Sequence, residues 1–372
     1  MEKENSLKDL TKLFLKLGFT AFGGPAAHIG MMQQEVVMKR KWMSEEHFLD
    51  LIGATNLIPG PNSTEMAIHI GYERSGWKGL IVAGLCFILP AVCITGIFAW
   101  FYKQYGQLPE AQPFIYGIKP AIIAIILSAI YPLAKKSFKT IELMVSGAII
   151  LVLSLLGFNE IILMFSAGIL ALLLKSVRSN TSVKSISPIL QIGTASLIQV
   201  SNAKLFFIFL KIGSILYGSG YVLFAFLDSE LVMNGLLTRQ QLIDAIAIGQ
   251  FTPGPVFSSV TFIGYQMNGI YGAIAATIGI FLPSFIFVAL LNPFIPKIRS
   301  SKWFSVFLDA INAASIALII AACYQMGRDS IYDWRTICVA LISLIITFRF
   351  KKINSAWIVM GSSMVGYMLS LF

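Results

Sequence analysis

Charge is scarce in this chain. Only 12% of its 372 residues are Asp, Glu, Lys or Arg, about half the roughly one quarter usual in soluble domains. So few ionisable groups cannot cover a soluble globule of 40.9 kDa. Histidine and cysteine are scarcer still, at three and four residues. Cys86, Cys93, Cys323 and Cys338 all lie in apolar stretches and no two have a CxxC spacing, which argues against a disulfide framework. Three histidines with no cysteine nearby do not make a plausible zinc or iron site. HExxH, P-loop and dinucleotide fingerprints are absent, so no metal, cofactor or catalytic centre is expected, and an enzyme is disfavoured. An uncharged leader is missing too: Glu2, Glu4 and Asp9 mix with Lys3, Lys8, Lys12 and Lys16, so the first segment reads as retained.

Apolar sequence is what the chain has in quantity. It is 56% hydrophobic with a mean hydropathy of +0.78, and the apolar runs recur from end to end, as in a polytopic membrane protein. The formal charge of +10 sits in short clusters between those runs, as membrane-flanking charges do, rather than in a nucleic-acid-binding face.

The chain also repeats itself. FLKLG at Phe14–Gly18 matches FLKIG at Phe209–Gly213, and Glu35 lies opposite Glu230 at the same offset of 195. One residue of slip brings Asp50, Pro59, Gly60 and Pro61 onto Asp244, Pro253, Gly254 and Pro255. A second slip brings Gly71, Tyr72, Gly76, Gly79 and Pro90 onto Gly264, Tyr265, Gly269, Gly272 and Pro283. Two repeats are therefore expected, at 1–176 and 204–372, with a linker over 177–203 whose apolar stretch 186–200 is read as crossing the membrane. Each repeat holds a segment broken by glycine, a polar stretch and a helix running into PGP. Long apolar segments follow at 77–102, 113–134, 141–156 and 160–174, and again at 271–292, 303–326, 335–348 and 353–371. All six tryptophans fall at segment edges, where an aromatic belt would put them.

The basic loops give the orientation. In the first half they are Arg74 with Lys78, Lys135–Lys139, and Lys175, Arg178 and Lys184; in the second they are Lys297–Lys302 and Arg349–Lys352, which correspond to the poor loops of the first. Equivalent loops thus prefer opposite sides. The fold expected is an all-α polytopic membrane protein of two inverted-topology repeats with broken helices, roughly 10–13 membrane segments counting half-helices.

Pro and Gly must break the helices at FGGPAAH (22–28), LIPGPNSTE (57–65), LYGSGY (216–221) and FTPGPVFSS (251–259). Irregular backbone at membrane depth survives only where it is buried in protein or lines a polar cavity, so four matched breaks point to one shared cavity. Pro25, Pro61 and Pro255 read as first-turn prolines, and the helices that follow would aim N–H groups at an anion. Gly23, Gly24, Gly60 and Gly254 supply the breaks. Asn62, Ser63, Thr64, Ser258 and Ser259 offer donors for a divalent oxyanion, or serve as plain helix caps.

Each intramembrane ionisable group costs about 2.5–3.5 kcal/mol or more, which makes it a functional candidate. Glu65 is the most unusual. It is either the carrier of a coupled proton or a paired, interface-facing acid. Lys119 either reaches the cavity or snorkels to the interface. Lys16 and Lys211 precede the broken tips and would attract an anion there. His28 and His69 either titrate or pack, and Glu35, Glu230, Asp50 and Asp244 read as capping or loop ion-pair residues.

FGGPAAHIG, LIPGPNST with EMAIHIG, and FTPGPVFSSVTFIGY closely resemble the chromate ion transporter (CHR, ChrA-like) family over nearly the whole chain. The resemblance implies a bacterial or archaeal inner-membrane protein that exports chromate, a sulfate analogue, driven by the proton gradient. It also implies site residues at Gly23, Gly24, Pro25 and His28, at Pro59–Glu65 and at Pro253–Pro255. GSG in place of a second GGP departs from the pattern. The expected partners are a chromate- or sulfate-like oxyanion and membrane lipid, with a homodimer compatible; rival functions are a sulfate transporter, an anion channel and a lipid-directed membrane enzyme.

In a cysteine-free background, an impermeant maleimide should label Lys136→Cys and Lys302→Cys from one side of the membrane. It should label Asp329→Cys, the equivalent of position 136, from the other.

Overall fold

The computed structural model describes residues 2–106, 108, 112–178, 201–218, 220–291, 301–350 and 353–370. Residues 179–200 of the expected linker, with its expected crossing at 186–200, lie outside them, as does Ser219 of the second broken tip. No strand occurs among the described residues. The first half runs α1 Glu2–Thr20, α2 Gly24–Gln33 continued by a π-turn over Gln34–Lys39, α3 Glu45–Thr55, α4 Asn62–Tyr105, α5 Gln112–Ser137, α6 Ile141–Leu155 and α7 Glu160–Arg178. The second runs α8 Asn202–Ile215, α9 Val222–Leu227 continued by a π-turn over Asp228–Val232, α10 Arg239–Phe251, α11 Ser259–Leu291, α12 Lys302–Ser330, α13 Trp334–Arg349 and α14 Ser355–Ser370. Each helix thus has its counterpart seven elements later. Their starts match in chemistry as well: Ser44 and Thr238 cap α3 and α10, and Thr140 and Asp333 cap α6 and α13, each side chain accepting a first-turn N–H.

Two helices fold back on themselves. Gly76 at φ 59° reverses α4 and Gly269 at φ 62° reverses α11, a left-handed conformation that glycine adopts without penalty. A methyl group on Gly71 would lie 2.6 Å from Cβ of Ala83, whereas twelve residues of unbroken helix would separate them by ~18 Å. Gly71 and Gly79 touch backbone to backbone, as do Gly264 and Gly272. Each hairpin therefore has a short first arm and a long second arm. The first helix of each half packs on its hairpin, α1 on α4 and α8 on α11, and the hairpins pack on each other.

The remaining helices are exchanged between the halves. α5 lies against α13 and α14, and α12 against α6 and α7, with α5 and α12 in mutual contact. Their equivalents run in opposite directions. Lys139, just past the end of α5, pairs with Asp309 near the start of α12 at 2.8 Å, and Lys175 sits 5.1 Å over the ring of Trp303. At the opposite end, Tyr116 near the start of α5 donates to Asp333 just past the end of α12. The inversion is thus visible in the packing.

Among the described residues, five helices are long and apolar enough to cross a membrane: α4, α5, α7, α11 with its leading turn, and α12. The chain is a multi-pass membrane protein. Outward-facing Ile97, Ile149, Leu170, Ile278 and Ile345 are about half exposed, as expected of a surface solvated by lipid.

The hairpin crossing leaves no room for a side chain. Gly79→Val should lower stability by ~1–3 kcal/mol through overpacking, measured by thermal unfolding in detergent. Gly30→Ala, at a site with open space around it, should leave the midpoint unchanged.

Candidate anion site at the crossed helix breaks

The four breaks meet in two crossed pairs. The Gly60 N–H of the first PGP donates to the Leu216 carbonyl at the end of α8, at 2.7 Å; the Gly254 N–H of the second PGP donates to the Ala21 carbonyl at the end of α1, at 2.8 Å. Leu216 and Ala21 are equivalent positions, so each repeat's PGP is held by the other repeat's broken tip. Left-handed glycines make the turns: Gly23 at φ 100°, Gly24 at 80°, Gly60 at 140°, Gly218 at 95° and Gly254 at 85°. Pro25 stands in the first turn of α2. Pro61 and Pro255 sit one place earlier than expected, at the N-caps of the helical turns that follow them. Gly18 and Gly213 let α1 and α8 press against the prolines at 90 and 283 in the long arms, which fixes the depth of both tips.

Around the first PGP the polar groups are buried and largely unpartnered. Glu65 is fully buried, and none of the described ion pairs includes it. The Ser284 hydroxyl is its polar neighbour, and both border the space that a Cβ on Gly60 would occupy. Thr64 Oγ1 and both ring nitrogens of His69 are also buried and unpartnered. His28 turns Nδ1 toward Ser63 Oγ at 3.4 Å and sets its ring edge-on to Phe87.

The second PGP is built differently. Ser258, the counterpart of Glu65 at an offset of 193, accepts from Thr95 at 3.1 Å, and Thr95 also reaches Thr252 at 3.4 Å. Ser259 Oγ is buried and unpartnered. At the tips, the Tyr221 hydroxyl lies 3.0 Å from a Cβ placed on Gly24, and Asn312 Oδ1 and Ser315 Oγ lie at the same distance from one on Gly218.

Several sequence candidates go elsewhere. Asn62 turns away and donates to Asn56 at 2.7 Å. Lys119 neither snorkels nor stands as a lone cation. It is buried 3.5 Å from Asp244, whose other oxygen accepts from the Tyr102 hydroxyl at 2.5 Å. Lys16 pairs with Glu35 at 2.9 Å and Lys211 with Glu230 at 2.6 Å. These matched braces hold the broken helices to the segments that follow. Hydrogen bonds from Lys16, with Lys39 adding to them, hold the Glu35 carboxyl down at about 2. With these lysines engaged, the positive potential at the breaks falls to the helix N-termini.

Ser284, Thr95 and Tyr221 were not singled out from the sequence. Ser284 carried a signal, because it follows Pro283 and replaces the Ala91 that follows Pro90 in the other repeat.

The chromate transporter family profile matches residues 8–172 and again 203–367. This chain belongs to the chromate transporter family. It is 31% identical to a probable chromate transport protein of Synechococcus elongatus over 97% of this chain and 95% of that one. It is 30% identical to a chromate transport protein of Cupriavidus metallidurans, over 97% and 92%. An uncharacterized transporter of Bacillus subtilis is 25% identical over 40% of this chain and 82% of its own, so a chain of about one repeat also exists. No solved structure matches.

Within this chromate transporter family fold, the Lys119–Asp244 pair should be costly to break from one side. Lys119→Met should cost ~3–5 kcal/mol by stranding a buried carboxylate, and Lys119→Met with Asp244→Leu should recover most of it. A double-mutant unfolding cycle in detergent measures both.

Proposed function

We propose that the protein is a secondary active transporter of a divalent oxyanion, and that it carries chromate outward across a bacterial or archaeal inner membrane in exchange for protons. The observation that carries this reading is the buried carboxyl of Glu65, in none of the described ion pairs, beside crossed helix breaks. When protonated, that carboxyl can donate to an oxyanion held at the helix N-termini; when ionised, it repels the anion. Anion affinity and proton occupancy are thereby linked. The site residues in this reading are Gly23, Gly24, Pro25 and His28 at the first tip, and Gly60, Pro61, Ser63 and Thr64 with Glu65 at the first PGP. Gly254, Pro255, Ser258 and Ser259 supply the second PGP. Two relatives are called chromate transport proteins, which favours chromate over sulfate as cargo. Lipid is the partner of the outer apolar surface.

Anion-resolved flux in proteoliposomes with an imposed pH gradient tests the reading. Chromate should accumulate against its gradient, which a channel cannot achieve, and labelled sulfate should compete. Pro61→Ala with Pro255→Ala should re-form continuous helices and abolish flux while expression is retained. Glu65→Gln should remove the pH dependence of flux. Unchanged pH dependence would withdraw Glu65 as the coupling group.

A further inference from the structure

Equivalent elements of the two halves are packed unequally. All six residues of α9 are buried, as is the run Leu242–Ala247 of α10, whereas α3 buries only Phe48, Leu51, Ala54 and Thr55. α10 rests on α5 and α12, and α9 rests on α12; α2 and α3 make no comparable contact with either. One half's tip-bearing segments are therefore seated on the exchanged pair α5 and α12, and the other half's are not.

The side chains that hold the seated set are definite. Arg239 at the start of α10 grips Asp228 at 2.8 Å and reaches across to α12, meeting Asp329 and Gln325 at 3.2 Å each. Deeper in, Asp244 takes Lys119 of α5 and Tyr102 of α4. The repeat offsets place Gln33, Glu45, Lys136, Asp50 and Asn312 opposite Asp228, Arg239, Asp329, Asp244 and Lys119. The inner contact is already made on the unseated side, where Gln33 donates to Glu45 at 3.2 Å. The outer one is not: among the described ion pairs none joins Glu45 to Lys136, and both are exposed. Yet the pair is complementary, with the signs reversed relative to Arg239 and Asp329. Asp50 and Asn312 can likewise share a hydrogen bond.

We infer that this structure is one of two states, and that the other is its repeat-exchanged image. In that image α2 and α3 seat on α5 and α12 through a Glu45–Lys136 ion pair and an Asp50–Asn312 contact, while α9 and α10 release as Arg239 leaves Asp329 and Asp244 leaves Lys119. The crossed breaks lie between the two sets, so the exchange uncovers them first from one side and then from the other. This rests on the transporter reading, and it names the residues that latch each state.

Spin labels at Glu46→Cys and Lys139→Cys, both on the surface, report the distance between α3 and the end of the bundle where α5 terminates. In proteoliposomes, pulsed EPR should resolve two populations whose ratio shifts when chromate or sulfate is added. Glu45→Lys should deplete the shorter one and slow flux about fivefold, the scale of an exposed ion pair, and Glu45→Lys with Lys136→Glu should restore both. A single long distance under all these conditions, or a charge swap that restores nothing, overturns the exchange. Two populations without chromate or sulfate flux would support the exchange and overturn the anion assignment instead.

Discussion

Backbone polar groups at membrane depth have no water to turn to, and every irregular turn there must find its partner within the protein. The protein meets this demand with two backbone hydrogen bonds, Gly60 to Leu216 and Gly254 to Ala21. Each satisfies a broken segment of one repeat with a broken segment of the other. Neither repeat can complete its centre alone, and the long arms, the proline notches that receive Gly18 and Gly213, and the braces from Lys16 and Lys211 all hold those tips at one depth.

Duplication supplies the frame, and divergence at matched positions supplies the chemistry. One PGP is followed by Glu65 facing Ser284; the other is followed by Ser258, held by Thr95, with Ala91 where Ser284 would be. The same backbone thus presents an acid on one side and a hydroxyl chain on the other. Only one of these two matched positions is therefore ionisable. Lys119 and Asn312 diverge in the same manner, one drawn into a buried ion pair and the other beside Gly218.

The second exchange of the fold is among the outer helices. Because α5 packs with α13 and α14, and α12 with α6 and α7, the outer scaffold belongs to both repeats at once. The segments that carry the breaks pack against it unequally: α9 and α10 contact α5 or α12, and α2 and α3 make no comparable contact.

Much of this was legible in the residues. The long arms and outer helices begin and end within a few residues of the apolar segments, since hydropathy and flanking Trp, Lys and Arg depend only on local sequence. The breaks were legible because Pro and Gly act on their own backbone. The reversals at Gly76 and Gly269 were not, since a glycine inside an apolar run is equally compatible with a straight helix. Nor could the sequence say that Lys119 would meet Asp244, or that Tyr102 and Ser284 would stand where they do, because those neighbours are 125, 142 and 219 positions from their partners Lys119, Asp244 and Glu65. By itself the sequence determined a duplicated, inverted, membrane-embedded helical protein with four interrupted helices, all consequences of composition and local stereochemistry. Which break crosses which, and which carboxyl is buried outside any of the described ion pairs, was decided by the tertiary structure alone, because both depend on how two interlocked halves approach each other in space.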